Sequence, residues 1–81
     1  MSEAITDDRV LEILGRVTRR DKATLTPDLD LAGDLDVGSA EALELLSTLE
    51  DDLGLEISEV EAAKLRTVRD VLTFVRDAKR A

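Results

Sequence analysis

The chain has no cysteine and no histidine, one proline, and one aromatic residue, Phe74, with no tyrosine or tryptophan. Each absence removes a class of function. Without Cys or His there is no thiol chemistry, no His/Cys metal site and no Ser-His-Asp catalysis. Carboxylates are plentiful, but no His, Cys or Tyr is present to support acid–base work. A chain of 81 residues also makes little of a cleft, so an enzyme is not expected. No segment approaches the apolar length of a membrane span. The N-terminus, Met1 to Asp8, is acidic and lacks the apolar run of a signal peptide. The lack of Cys is compatible with a reducing compartment, and a cytoplasmic location is the expectation.

Positive charge is scarce and confined to the two ends. There are 11 Lys and Arg against 19 Asp and Glu, for a net charge of −8. No basic residue stands between Lys22 and Lys64. A negative field over the middle of the chain disfavours nucleic acid and anionic membranes as partners. It suits basic protein surfaces, although a solvated acidic surface that merely aids solubility has the same composition.

What the chain does have is Leu, Val, Ile and Ala at helical spacing. Val10, Ile13, Leu14 and Val17 predict a first helix from about Thr6 to Arg19, with Thr6 as cap, acids in the first turn and arginines in the last. A long connection follows, roughly 21–38, broken by Thr26-Pro27 and by Gly33 and Gly38. Leu25, Leu29, Leu31 and Leu35 recur through it and predict a loop pinned across a helical core. The second helix is expected from Ser39 to about Leu53, stopped by Gly54. A helical wheel puts Ala42, Leu43, Leu46, Leu49 and Leu53 on one face and most of Glu41, Glu44, Asp51 and Asp52 on the other. With no Lys or Arg, this helix lacks stabilising i, i+4 pairs, which favours an interaction face. Ser58 caps a short third helix, with Glu61 in the capping-box position and Val60, Ala63 and Leu65 as apolar candidates. Thr67 caps a fourth, with Asp70 three residues on. Val68, Val71, Leu72 and Val75 form its inner face, Phe74 lies at the edge, and Arg76, Lys79 and Arg80 suit its C-terminus. The expected architecture is one all-α domain over residues 1–81. It is a small four-helix bundle of three longer helices and one short helix, with a long loop between the first and second.

Ser39 is the most informative residue. The free N–H groups and the positive dipole end of a helix N-terminus favour a phosphate there, and a serine hydroxyl at that place is positioned to carry a phosphodiester. A serine there also serves as an ordinary N-cap. Two other readings compete. Asp28 to Asp36 resembles the start of a calcium loop, but Ala32 takes the fifth position and Ser39 the twelfth, where a bidentate Glu is needed. A plain adaptor docking through the acidic helix predicts binding that survives Ser39→Ala.

The Asp34-Leu35 pair, Ser39, Glu41, Glu44-Leu45, the run from Leu49 to Ile57 and the Thr67-Val68 opening of the last helix together resemble the acyl carrier protein family. The resemblance spans nearly the whole chain. It implies that a phosphopantetheinyl transferase moves 4′-phosphopantetheine from coenzyme A onto Ser39, and that the arm holds acyl groups as thioesters. Glu41, Glu44, Glu50, Asp51 and Asp52 would then be docking residues for acyl-transferring or condensing enzymes with basic patches. Leu43, Leu46 and Leu65 would border an acyl cavity. One departure stands out: Gly38-Ser39-Ala40 replaces the family's usual Asp-Ser-Leu. This points away from the housekeeping fatty-acid carrier and toward a freestanding carrier of polyketide, fatty-acid-like or other specialised intermediates; a monomer is the expectation. A peptidyl or aminoacyl carrier and an unmodified carrier-like adaptor are the alternatives.

Overall fold

The computed structural model describes residues 7–80, and side chains as far as Ala78. The Thr6 cap and the Lys79 and Arg80 side chains, named above, lie outside that description. The described residues form α1 (Asp7–Thr18), a 3-10 turn at Lys22–Thr24, α2 (Ser39–Leu53), α3 (Glu59–Ala63) and α4 (Val68–Arg80). They contain no strand, only one antiparallel bridge between Asp30 and Thr67. The helical bundle expected from the sequence is therefore the observed fold.

The core is aliphatic. Val10, Ile13 and Leu14 of α1, Leu49 of α2, and Val68, Val71 and Val75 of α4 are all 2% exposed or less. Complete burial of such side chains contributes about 1.5–3 kcal/mol each, and this is what holds a chain this short together. At the end of α1, Arg19 turns into the left-handed region (φ 61°), and Arg20 N–H donates back to the Gly15 carbonyl at 3.0 Å. A Cβ at Gly15 would stand 2.8 Å from the Arg20 carbonyl oxygen, so only glycine admits this close return.

The long connection is pinned as its leucines predicted. Leu25, Leu31 and Leu35 are buried, and Leu29 is half-buried. Backbone bonds complete the strap: Leu31 N–H donates to Arg66 O (2.9 Å), Val68 N–H to Leu29 O (3.0 Å) and Arg69 N–H to Pro27 O (3.0 Å). The loop carbonyls thus satisfy the first N–H groups of α4, which a helix start otherwise leaves without partners.

Two assignments of faces need correction. In α2 the buried residues are Leu45, Leu49 and Leu53, with Ala42 and Leu46 half-buried, whereas Leu43 is 67% exposed. Leu43 lies about 100° around the helix from Ala42, outside the stripe that meets α1. In α3, Val60 is 67% exposed and Ala63 is exposed, while Ala62 and Leu65 turn partly inward. A helix of five residues is placed by the segments that flank it, so its own spacing carried little information.

Candidate functional site

Ser39 is the first helical residue of α2, and the N-cap is Gly38, with extended backbone (φ −94°, ψ −167°). Having no side chain, Gly38 cannot cap the helix itself. Its N–H donates to Glu41 Oε1 at 3.1 Å, and its carbonyl accepts from Ala42 N–H at 2.8 Å. The serine is therefore released from the capping role. It is exposed, and its hydroxyl makes no hydrogen bond to another described residue. Among the described residues, the Ser39, Ala40 and Glu41 N–H groups also have no acceptor. A free hydroxyl thus sits at the positive end of a fifteen-residue helix beside unused donors.

Next to it opens a cavity of about 280 Å³ between the loop, α2 and the segment from α3 to α4. Val37 and Ala42, which flank Ser39 in sequence, both line it. So do Leu31, Leu45, Leu46 and Leu65. Of the three residues expected to border an acyl cavity, Leu46 and Leu65 are in this wall. Leu43 is not, since it faces solvent. Two charged residues also line the space, Asp30 and Arg66. Sequence reasoning did not single out Arg66. Only its place just before the Thr67 cap marked it, and that says nothing of the cavity.

The five expected docking carboxylates do not share one situation. Glu44 and Asp51 are exposed and have no ion-pair partner among the described residues. Asp52 pairs with Arg16 across α1 and α2 at 3.1 Å. Such an exposed pair contributes roughly 0–1 kcal/mol. Glu41 holds the Gly38 N–H, and Glu50 is half-buried with its carboxylate accepting Ile57 N–H at 3.2 Å. Those two acids therefore also shape the ends of α2.

The acids before Ser39 shape the loop. Asp30 Oδ2 accepts Gly33 N–H at 2.6 Å, and Asp34 Oδ2 accepts Asp30 N–H at 2.8 Å. Asp36 adopts φ 57° and pairs with Arg20 at 3.3 Å. No group of three acidic side chains positioned to hold a metal ion occurs among the described residues.

Two titrating groups depart from their ordinary values. The Asp70 carboxyl is held below the usual carboxylate range, first by the Arg66 backbone N–H and then by Thr67, whose N–H and hydroxyl complete the cap of α4. Lys22 is raised, first by its hydrogen bond to Asp8 and next by Glu12, and so ties the 3-10 turn to α1.

Comparison with known proteins gives one consistent result. Residues 8–75 match the family model described as "Phosphopantetheine attachment site". The chain is 37% identical over 68 residues to the acyl carrier protein of Thermosynechococcus vestitus, covering 84% of each sequence. It is 31% identical over 71 residues to that of Rickettsia typhi, covering 88% of this chain and 83% of the relative. A solved Mycobacterium tuberculosis structure assigned as an acyl carrier protein superposes with a TM-score of 0.82 at 30% identity, covering 88% of this chain and 95% of the other.

Proposed function

Because the chain belongs to the acyl carrier protein family, whose members are carriers with a phosphopantetheine group and not enzymes, we propose that Ser39 is the residue that bears the 4′-phosphopantetheine arm. The observation that carries this reading is the Ser39 hydroxyl itself: exposed, without a hydrogen-bond partner among the described residues, and at the N-terminus of α2 beside the cavity. The surroundings fit the group. The N–H groups of the first turn favour a phosphodiester, and the wall formed by Val37, Ala42, Leu46 and Leu65 suits the apolar part of an arm-borne chain. When bound, the arm supplies a thiol that holds acyl groups as thioesters. This chain's residues position the attachment oxygen, shelter the chain and present the carrier to its partners.

The partners that fit are a phosphopantetheinyl transferase and acyl-handling enzymes with basic surfaces. Glu44 and Asp51, exposed on a helix without Lys or Arg, are the carboxylates most available to them. The replacement of Asp-Ser-Leu by Gly38-Ser39-Ala40 favours a specialised pathway, polyketide or fatty-acid-like, over general fatty-acid synthesis.

Intact-protein mass spectrometry after incubation with coenzyme A, Mg²⁺ and a broad-specificity transferase tests the proposal. The parent is expected to gain one phosphopantetheine and Ser39→Ala none. Equal gain in both would place the arm elsewhere.

A further inference from the structure

The end of α1 is basic. From Arg16 to Lys22 there are four cations against one acid, in a chain whose net charge is −8. Arg19 and Arg20 line a hollow of about 320 Å³ whose other charged walls are Asp36, Glu41 and Glu44. Asp36 and Glu41 flank Ser39 in sequence, and Glu44 belongs to the acidic face of α2. Positive and negative groups thus meet next to the attachment serine. The backbone at Arg19 adds a second observation. Arg20 N–H closes α1 on the Gly15 carbonyl, and that closure holds Arg19 at φ 61°. Helices that end this way mostly place glycine there, because a side chain disfavours left-handed backbone. The end of α2 follows that rule with Gly54 at φ 67°. Arg19 departs from it, and the fold gains no ion pair in return: among the described residues Arg19 has none. Its side chain is exposed. Arg20 pairs with Asp36 at 3.3 Å, an exposed contact weak enough to exchange for another. A disfavoured backbone that stabilises nothing within the chain points to a role outside it.

We propose that Arg19, with Arg20 beside it, is the positive half of a two-signed docking surface, and that the phosphopantetheinyl transferase meets it with a surface carboxylate set beside its basic patch. This rests on Ser39 carrying the arm. The transferase is the partner that fits, because it must reach Ser39 itself and the hollow begins at the residues around that serine. A contact of one sign attracts a partner but leaves it free to turn about the contact. A second contact of opposite sign fixes the register and rejects surfaces that are basic throughout. The acids of α2 therefore draw the enzyme in, and Arg19 sets its orientation over the serine.

The test uses the full chain with a broad-specificity transferase and Mg²⁺. Mass gain is followed while the carrier and coenzyme A are varied separately. Arg19→Glu should raise KM for the carrier by about tenfold with little change in kcat, the pattern of lost docking. Arg76→Glu, the same charge change away from this surface, should have little effect. Arg19→Gly should melt above the parent, because glycine accepts the left-handed backbone, yet also raise KM for the carrier. A purely structural role would move stability and KM in the same sense. Reversing one carboxylate of the transferase's docking surface to Lys should restore loading of Arg19→Glu. Several outcomes would overturn the proposal: Arg19→Glu loading no worse than Arg76→Glu, Arg19→Gly melting no higher than the parent, or no carboxylate reversal giving rescue. A rise in KM for coenzyme A in place of the carrier would replace it with recognition of the coenzyme's phosphates. No mass gain in the parent or in Gly38→Asp overturns the Ser39 reading and this proposal with it. Full loading indifferent to position 19 overturns the two-signed surface alone.

Discussion

At the scale of single residues, the departure at position 38 has a specific consequence. Gly38 leaves Ser39 outside the cap and leaves the capping carboxylate to Glu41. The backbone at Gly38 is extended, so Gly38→Asp introduces no backbone strain. Its Cβ would come 3.1 Å from Glu41 Oε1, the mobile tip of a side chain that can give way. An aspartate there would accept the Glu41 N–H, which improves on glycine by a few tenths of a kcal/mol. The melting temperature should rise by no more than about 2 °C in a domain of this size. Loading by a broad-specificity transferase should accelerate, since the acid before the serine is restored. An unchanged loading rate, followed by mass spectrometry over time, would show that the acid is dispensable. Asp70 gives a second prediction. Its depressed carboxyl stabilises the fold fully above the ordinary Asp value, near pH 3.9, and that stability is lost as pH falls through the lower folded value. In urea unfolding, the parent should exceed Asp70→Asn by a constant margin above about pH 4, and the two should converge below it. A margin that grows on acidification would contradict the assignment.

At the scale of elements, legibility followed the range of the interactions. The Ser58–Glu61 box, the Thr67–Asp70 cap and the left-handed Gly54 at the end of α2 (φ 67°) are set within four residues, and the sequence displays all of them. The burial of Leu25, Leu31 and Leu35 was also legible, because leucines in an otherwise polar loop have little reason to recur in solvent. The face of α2 was not. Apolar residues stand at Ala42, Leu43, Leu45, Leu46, Leu49 and Leu53, and only contact with α1 decides that Leu45 is inside and Leu43 outside. The tie of Glu50 to Ile57 was hidden for a like reason: it depends on how the chain folds back after Gly54. The location of Arg66 in the cavity wall depends on the loop strap crossing to α4, so its neighbours in sequence do not reveal that location. These distinctions sharpen the docking prediction. Reversing Glu44 or Asp51 to Lys should weaken binding to a cognate partner enzyme more than reversing Asp7, which is paired with Arg76 on another side of the fold. Calorimetric titration of the three variants checks this, and equal losses would count against an α2 docking face.

At the scale of the whole molecule, charge and core act against each other. The core is aliphatic and complete, but a net charge of −8 on a small body disfavours compaction. The ion pairs that oppose this repulsion are exposed, and each contributes only about 0–1 kcal/mol. Repulsion among the unpaired acids should therefore dominate the response to salt. Raising ionic strength from about 0.01 to 0.15 M shortens the screening length from about 30 to 8 Å and should raise the melting temperature. A fall would mean that the surface pairs outweigh the repulsion. The same acidic surface that costs stability is the one offered to partners, and its binding should weaken over that range of salt.

The central claim is that Ser39, freed from capping by Gly38, holds the arm. Fragmentation mass spectrometry of the transferase-treated parent tests it most directly, because the chain has other serines, among them Ser47 and Ser58, that compete for the assignment. The account predicts phosphopantetheine on the fragment ions that contain Ser39 and on no others. Modification at Ser47 or Ser58, or a chain that stays unmodified even with Gly38→Asp in place, would contradict it.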